Sequence, residues 1–121
     1  MNKVFKVGLI GCGHISETYF RAQEYFNNIR IVKCADLNME TAKRCAIHYN
    51  IEAVTVQELL KDKEIEVILN LTIPAAHFEV SKMALENGKH SYAEKPMSVN
   101  FEDGKKLVEL AKEKNLYIGN A

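Results

Sequence analysis

Short runs of apolar, mostly β-branched residues alternate along this chain with longer stretches in which apolar residues recur every three or four positions. The runs Phe5–Ile10, Ile29–Ala35, Ala53–Thr55, Val67–Leu71, Ser91–Ala93 and Leu116–Gly119 predict strands. Val7-Gly8-Leu9-Ile10 and Val67-Ile68-Leu69 carry no polar alternation, the pattern of strands buried on both faces. Helical spacing appears in Ile15, Tyr19, Ala22 and Phe26, and again in a segment capped by Asp36 or Asn38 and running through Arg44 and Ala46. Thr55 with Glu58 three residues on is a capping box ahead of Leu59-Leu60. Pro74 suits the first turn of a helix that runs to Asn87, with Gly88 just past its end. Asn100 with Asp103 opens a last helix, for which the pattern predicts the packed stripe Phe101, Gly104, Val108, Ala111.

Strands joined by crossover helices must run parallel, and right-handed crossovers place helices on both sides of the sheet. The predicted fold is therefore α/β: one doubly wound domain over residues 1–121, with a mainly parallel six-stranded sheet covered on both faces. The sequence stops directly after a predicted strand, at Asn120-Ala121, which gives the expectation of a domain cut from something longer.

Composition narrows the function. Sixteen basic residues balance sixteen acidic ones, and Lys and Glu are mixed rather than blocked, so neither nucleic acid nor an anionic membrane surface is an expected partner. No apolar stretch has the length of a membrane span or the form of a signal peptide, and the expected location is the cytoplasm. The three cysteines, Cys12, Cys34 and Cys45, form no CxxC pair and are expected to be reduced, small core residues. No His, Asp or Glu cluster has metal-ligand spacing, so no metal is predicted.

The chemistry-bearing segment is the first strand-to-helix turn, Gly11-Cys12-Gly13-His14-Ile15-Ser16. Gly11 permits the tight bend. Gly13, lacking a side chain, lets backbone approach a pyrophosphate held by the N–H groups of the helix start. The third position must be small so that the helix lies close on the strand, and Ser16 occupies it. His14 and Ile15 are expected beside that ligand, the alternative for His14 being a solvent-exposed turn position. Twenty residues beyond Ser16, Asp36 ends the second strand, where a carboxylate accepts hydrogen bonds from the adenosine ribose and repels a 2′-phosphate. Leu37, not arginine, follows it, which favours NAD over NADP. This is the arrangement of a dinucleotide-binding Rossmann domain.

Three later segments carry a more particular resemblance: Asn70-Leu71-Thr72-Ile73-Pro74-Ala75-Ala76-His77, Ala84-Leu85-Glu86-Asn87-Gly88-Lys89-His90, and Ala93-Glu94-Lys95-Pro96-Met97-Ser98. With the glycine turn and Asp36, they resemble the N-terminal domain of the Gfo/Idh/MocA oxidoreductases, the group of glucose–fructose oxidoreductase and inositol dehydrogenase. The resemblance implies an NAD- or NADP-dependent hydride transfer at a hydroxyl-bearing carbon of a sugar, polyol or related small molecule. It maps the family's Glu-Lys-Pro onto Glu94-Lys95-Pro96, making Lys95 the candidate catalytic residue near nicotinamide and substrate hydroxyl. It also places Leu71, Thr72, Pro74 and His77 along the cofactor, with the proline one place later than in the commonest family pattern, and Asn120 near the nicotinamide edge. It further implies a separate C-terminal domain that supplies substrate contacts, a catalytic histidine and a homo-oligomer interface. The alternative weighed against it is a non-enzymatic, nucleotide-responsive Rossmann module, redox-sensing or CoA-binding, which has no reason to carry Glu94-Lys95-Pro96.

Overall fold

Six strands and five helices alternate along the chain in the computed structural model, which describes residues 4–25, 28–93 and 101–120. The strands are β1 (Phe5–Ile10), β2 (Ile29–Ala35), β3 (Glu52–Ala53), β4 (Val67–Asn70), β5 (His90–Ala93) and β6 (Ile118–Asn120). The helices are α1 (His14–Ala22), α2 (Met39–Tyr49), α3 (Val56–Lys61), α4 (Pro74–Glu86) and α5 (Phe101–Lys114). The sheet order is β3-β2-β1-β4-β5-β6, and every pairing is parallel. This is the doubly wound order in which the winding reverses between β1 and β4, and a crevice opens beyond their carboxyl ends.

Alternation along β1 explains the two layers. Val7 and Leu9 pack with Ile31, Phe20, Ala46 and Leu69 on the side of α1 and α2. Ile10 packs with Leu59, Leu60, Ile65, Ile68, Val80 and Ala84 on the side of α3 and α4. A third cluster, Leu85 with Leu107 and Ala111, joins α5 to α4. Toward β5 and β6 the first face carries an apolar groove of about 600 Å³ between Tyr19, Leu69, Tyr92 and Tyr117.

The expected stripe on the last helix is corrected. Phe101 is 81% exposed and Val108 is also exposed, whereas Leu107 is 1% exposed and shares its face with Ala111 four residues on. On α1 the buried residues are Ser16 and Phe20, while Ile15 is 40% exposed; Phe26 lies outside the described residues. The third strand is Glu52–Ala53, because Thr55 caps α3 through the predicted box, accepting from Glu58 N–H at 3.1 Å while Glu58 accepts from Thr55 N–H. The last strand begins two residues later than the pattern suggests. Asn115 turns left-handed at φ 59°, and Leu116 N–H still closes the helix onto the Ala111 carbonyl at 2.8 Å.

Candidate functional site

The turn after β1 is held by a backbone that only glycine accepts. Gly11 sits at φ +102°, and a Cβ there would lie 2.6 Å from the Leu71 carbonyl oxygen. Gly11 N–H bonds the Ala35 carbonyl and Leu71 N–H bonds the Ile10 carbonyl, so the ends of β1, β2 and β4 are locked around the turn. Gly13 has a different role. Its backbone is extended at φ −79°, and a Cβ built on it meets nothing within 4 Å. No side chain caps α1 at Gly13, and Ser16 N–H bonds the Gly13 carbonyl at 3.1 Å, so the helix start presents the positive end of its dipole beside the open Gly13 backbone. Ser16 is buried, and its hydroxyl donates to the Gly13 carbonyl at 2.6 Å. That bond satisfies the hydroxyl at a position which packing requires to be small.

Asp36 stands at the tip of β2 and closes the same turn. Its Oδ2 accepts from Cys12 N–H at 2.8 Å and its Oδ1 from Asn38 N–H at 2.9 Å. An ionised carboxylate offers about four lone-pair sites, so each oxygen keeps acceptor capacity for a ligand hydroxyl. Capping of α2 falls to Asn38, whose Oδ1 accepts from Glu40 and Thr41 N–H. The cap therefore belongs to Asn38 and not to Asp36.

Gly11, Gly13, Asp36, Leu71 and Thr72 line one cavity of about 750 Å³, floored by Ile10 and walled by Val56, Ile73, Ala76 and Met83. Its volume is in the range of small-molecule and cofactor sites. Among the described residues lining it the charged ones are Asp36 and Glu79, with no lysine or arginine. Leu37 at its rim is 94% exposed. Arg44 lines a separate groove with His14, His48 and Tyr49.

Thr72 owes its place to Asn70, a residue the sequence pattern gave no reason to single out. Asn70 is fully buried at the end of β4. Its Nδ2 donates to the His77 carbonyl at 3.0 Å and to Ser81 Oγ at 2.9 Å, while its Oδ1 accepts from Thr72 N–H at 3.2 Å and from the Thr72 hydroxyl at 2.6 Å. One amide therefore fixes both the start of α4 and the rim of the cavity.

The remaining expected residues are placed as follows. Pro74 is the first residue of α4, just past the rim. His77 is 1% exposed in the packing of α4, away from the cavity lining. His14 and Ile15 are exposed on the first turn of α1. Asn120 ends β6, in register with Ala93. Glu94, Lys95 and Pro96 lie outside the described residues.

Known proteins are similar to this chain. A dTDP-3,4-didehydro-2,6-dideoxy-alpha-D-glucose 3-reductase from Saccharopolyspora spinosa is 32% identical over 98% of this chain and 36% of its own length. A trans-1,2-dihydrobenzene-1,2-diol dehydrogenase from Xenopus tropicalis is 31% identical over 96% of this chain and 36% of its own. Among solved structures, biliverdin reductase from Synechocystis, in complex with biliverdin and NADP+, superposes with a TM-score of 0.88 at 26% identity, covering 95% of this chain and 37% of that one. The chain thus spans about a third of the length of the curated relatives it matches. Residues 5–120 match the model described as the oxidoreductase family with NAD-binding Rossmann fold, and the chain belongs to that family, the Gfo/Idh/MocA oxidoreductases.

Proposed function

We propose that this chain is the dinucleotide-binding part of an oxidoreductase that transfers a hydride between NAD and a hydroxyl-bearing carbon of a sugar, polyol or related small molecule. The observation that carries the reading is the convergence of the open Gly13 backbone and the Asp36 carboxylate on one cavity at the carboxyl ends of the strands. The fit is chemical as well as spatial: the uncapped start of α1 receives a pyrophosphate, and Asp36 accepts from ribose hydroxyls. Ile10, Val56 and Met83 give the cavity apolar walls suited to a flat base. A 2′-phosphate meets Asp36 and finds no cation among the described lining residues, which supports NAD as the cofactor over NADP.

Bound there, the nicotinamide supplies a ring carbon that accepts or returns a hydride. The proton of the substrate hydroxyl then needs a base, and on the family resemblance that base is the Nζ of Lys95, with Glu94 beside it and Pro96 restricting the backbone that aims it. The same resemblance assigns Thr72 and Pro74 to the stretch that runs past the cofactor, and Asn120 to the nicotinamide edge. Substrate contacts and a homo-oligomer interface are assigned to the part of the protein that corresponds to the remaining length of its relatives, and the location to the cytoplasm. Two relatives carry names of a diol dehydrogenase and of a deoxy-sugar nucleotide reductase, which supports a substrate oxidised or reduced at carbon bearing oxygen. No helix among the described residues is long and apolar enough to cross a membrane.

Calorimetric titration with NADH tests the reading. Saturable binding with a weaker response to NADPH is the expected result. Absence of heat and of any nicotinamide fluorescence change at millimolar cofactor overturns it.

A further inference from the structure

The three cysteines stand at positions 12, 34 and 45, a spacing that matches no metal motif. The fold nevertheless collects them from three elements: Cys12 from the turn after β1, Cys34 from β2 and Cys45 from α2. Their sulfur atoms all lie within 4.8 Å of one another, and all three are free thiols. Sulfurs bound to a d10 cation at about 2.3 Å, in trigonal or tetrahedral geometry, stand roughly 3.8–4.0 Å apart. The cluster therefore needs only a contraction of under about 1 Å to close on such an ion.

Two further features separate this cluster from cysteines that merely fill space. The existing partners are weak: Cys12 and Cys34 each point a thiol at a backbone carbonyl, Ala35 and Ala42, at 3.5 Å. There is an entry path, because Cys12 and Cys45 line an open groove of about 590 Å³ with His14, Arg44 and His48, while Cys34 is buried behind them.

We propose that Cys12, Cys34 and Cys45 form a binding site for a thiophilic d10 metal ion of the zinc or cadmium type, held by three thiolates with its fourth position open to the groove. Water or the His48 imidazole, one turn beyond Cys45 on the same groove, completes the coordination. The thiols still protonated release their protons to solvent as the ion binds. Because Cys12 N–H is the donor to Asp36, an ion at Cys12 also anchors the turn that shapes the cofactor cavity. The site does not depend on the proposed function, and its test uses no nucleotide.

The protein, kept reduced with a phosphine, is titrated with Cd2+ while the ultraviolet thiolate-to-cadmium absorption is followed. An aromatic disulfide then counts the thiols left reactive. One ion per chain, with all three thiols protected together, is the expected result. Cys34→Ala and Cys45→Ser each weaken binding by at least about a hundredfold, the upper end of what loss of a mere supporting partner does. Circular dichroism reports whether each variant folds, and protection in the unsubstituted protein decides the matter if one does not. Independent titration of the thiols, no band at micromolar Cd2+, or undiminished affinity in folded Cys45→Ser overturns the proposal.

Discussion

The backbone N–H of Cys12 donates to Asp36 Oδ2 at 2.8 Å, so the turn after β1 and the tip of β2 are fastened to each other by a residue assigned to ligand binding. Asp36→Ala thus removes two things at once: the acceptor proposed for ribose hydroxyls and the clasp on the turn. NADH affinity should fall about ten- to hundredfold, the loss expected for a charged hydrogen bond, and discrimination against NADPH should relax. Parallel titrations with both cofactors measure it. An unchanged preference removes Asp36 from the ribose site.

Gly11 and Gly13 stand two residues apart and should fail in different ways. Gly11→Ala forces a side chain into a left-handed backbone and against the Leu71 carbonyl. It should cost at least about 1–3 kcal/mol of stability. Gly13→Ala enters open space at an ordinary φ. Its stability should stay within about 1 kcal/mol, while NADH affinity drops as the new methyl occupies the pyrophosphate approach. Urea unfolding and NADH titration of both variants separate the two roles; equal destabilisation contradicts the distinction.

The parts of this molecule legible in the sequence are those whose cause is local. β1 and β2 run over the residues predicted for them, and in β1 the buried run Val7–Ile10 leaves no polar alternation to misread. The Thr55–Glu58 box, the Asn38 cap and the proline opening α4 each act within three residues of themselves. What was hidden depends on the packed fold. Phe101 and Val108 are apolar but point outward, since the helix–helix contact selects Leu107 and Ala111. Asn70 reads as one more residue of the strand predicted over Val67–Leu71 until α4 brings Ser81 and the His77 carbonyl to it. The cysteines meet only when three elements converge.

Lys95 carries the chemical half of the proposed function, and its test needs the intact enzyme. If its Nζ takes the substrate proton, Lys95→Ala lowers kcat much more than it raises the cofactor Kd, because the lost interaction belongs to the transition state. Steady-state kinetics with a separate NADH titration provide both numbers. A defect confined to cofactor binding contradicts the role.

Asn70 should be the most sensitive polar residue of the core. Asn70→Ala removes from a fully buried position the donor to the His77 carbonyl and Ser81 Oγ and the acceptor of the Thr72 hydroxyl. A loss of about 1–3 kcal/mol is expected, read by thermal unfolding. Asn70→Asp should be no better, since a carboxylate cannot donate to the His77 carbonyl. Because Ser81 also accepts from Ser91 on β5, at 3.2 Å, Ser81→Ala should disturb the same chain and combine non-additively with Asn70→Ala.

The ion pair between Lys33 on β2 and Asp62 at the end of α3 gives stability a predictable pH dependence. The hydrogen bond from the Lys33 ammonium, then that from Glu64 N–H, holds the Asp62 carboxyl below the ordinary aspartate range. A depressed carboxyl contributes in full above its ordinary value, and the contribution disappears as pH falls through the depressed one. Asp62 in turn raises Lys33, whose contribution is complete below the ordinary lysine value and is lost as pH rises through the raised one. The pair therefore works across the whole neutral range. Asp62→Asn should cost about 1–2 kcal/mol at neutral pH, less than a fully buried pair because both side chains keep some contact with water. That cost should shrink as the wild-type carboxyl protonates below about pH 4. Urea midpoints of both proteins at neutral and acid pH measure the difference; a cost that is the same at both means that Asp62 acts through its shape and not its charge.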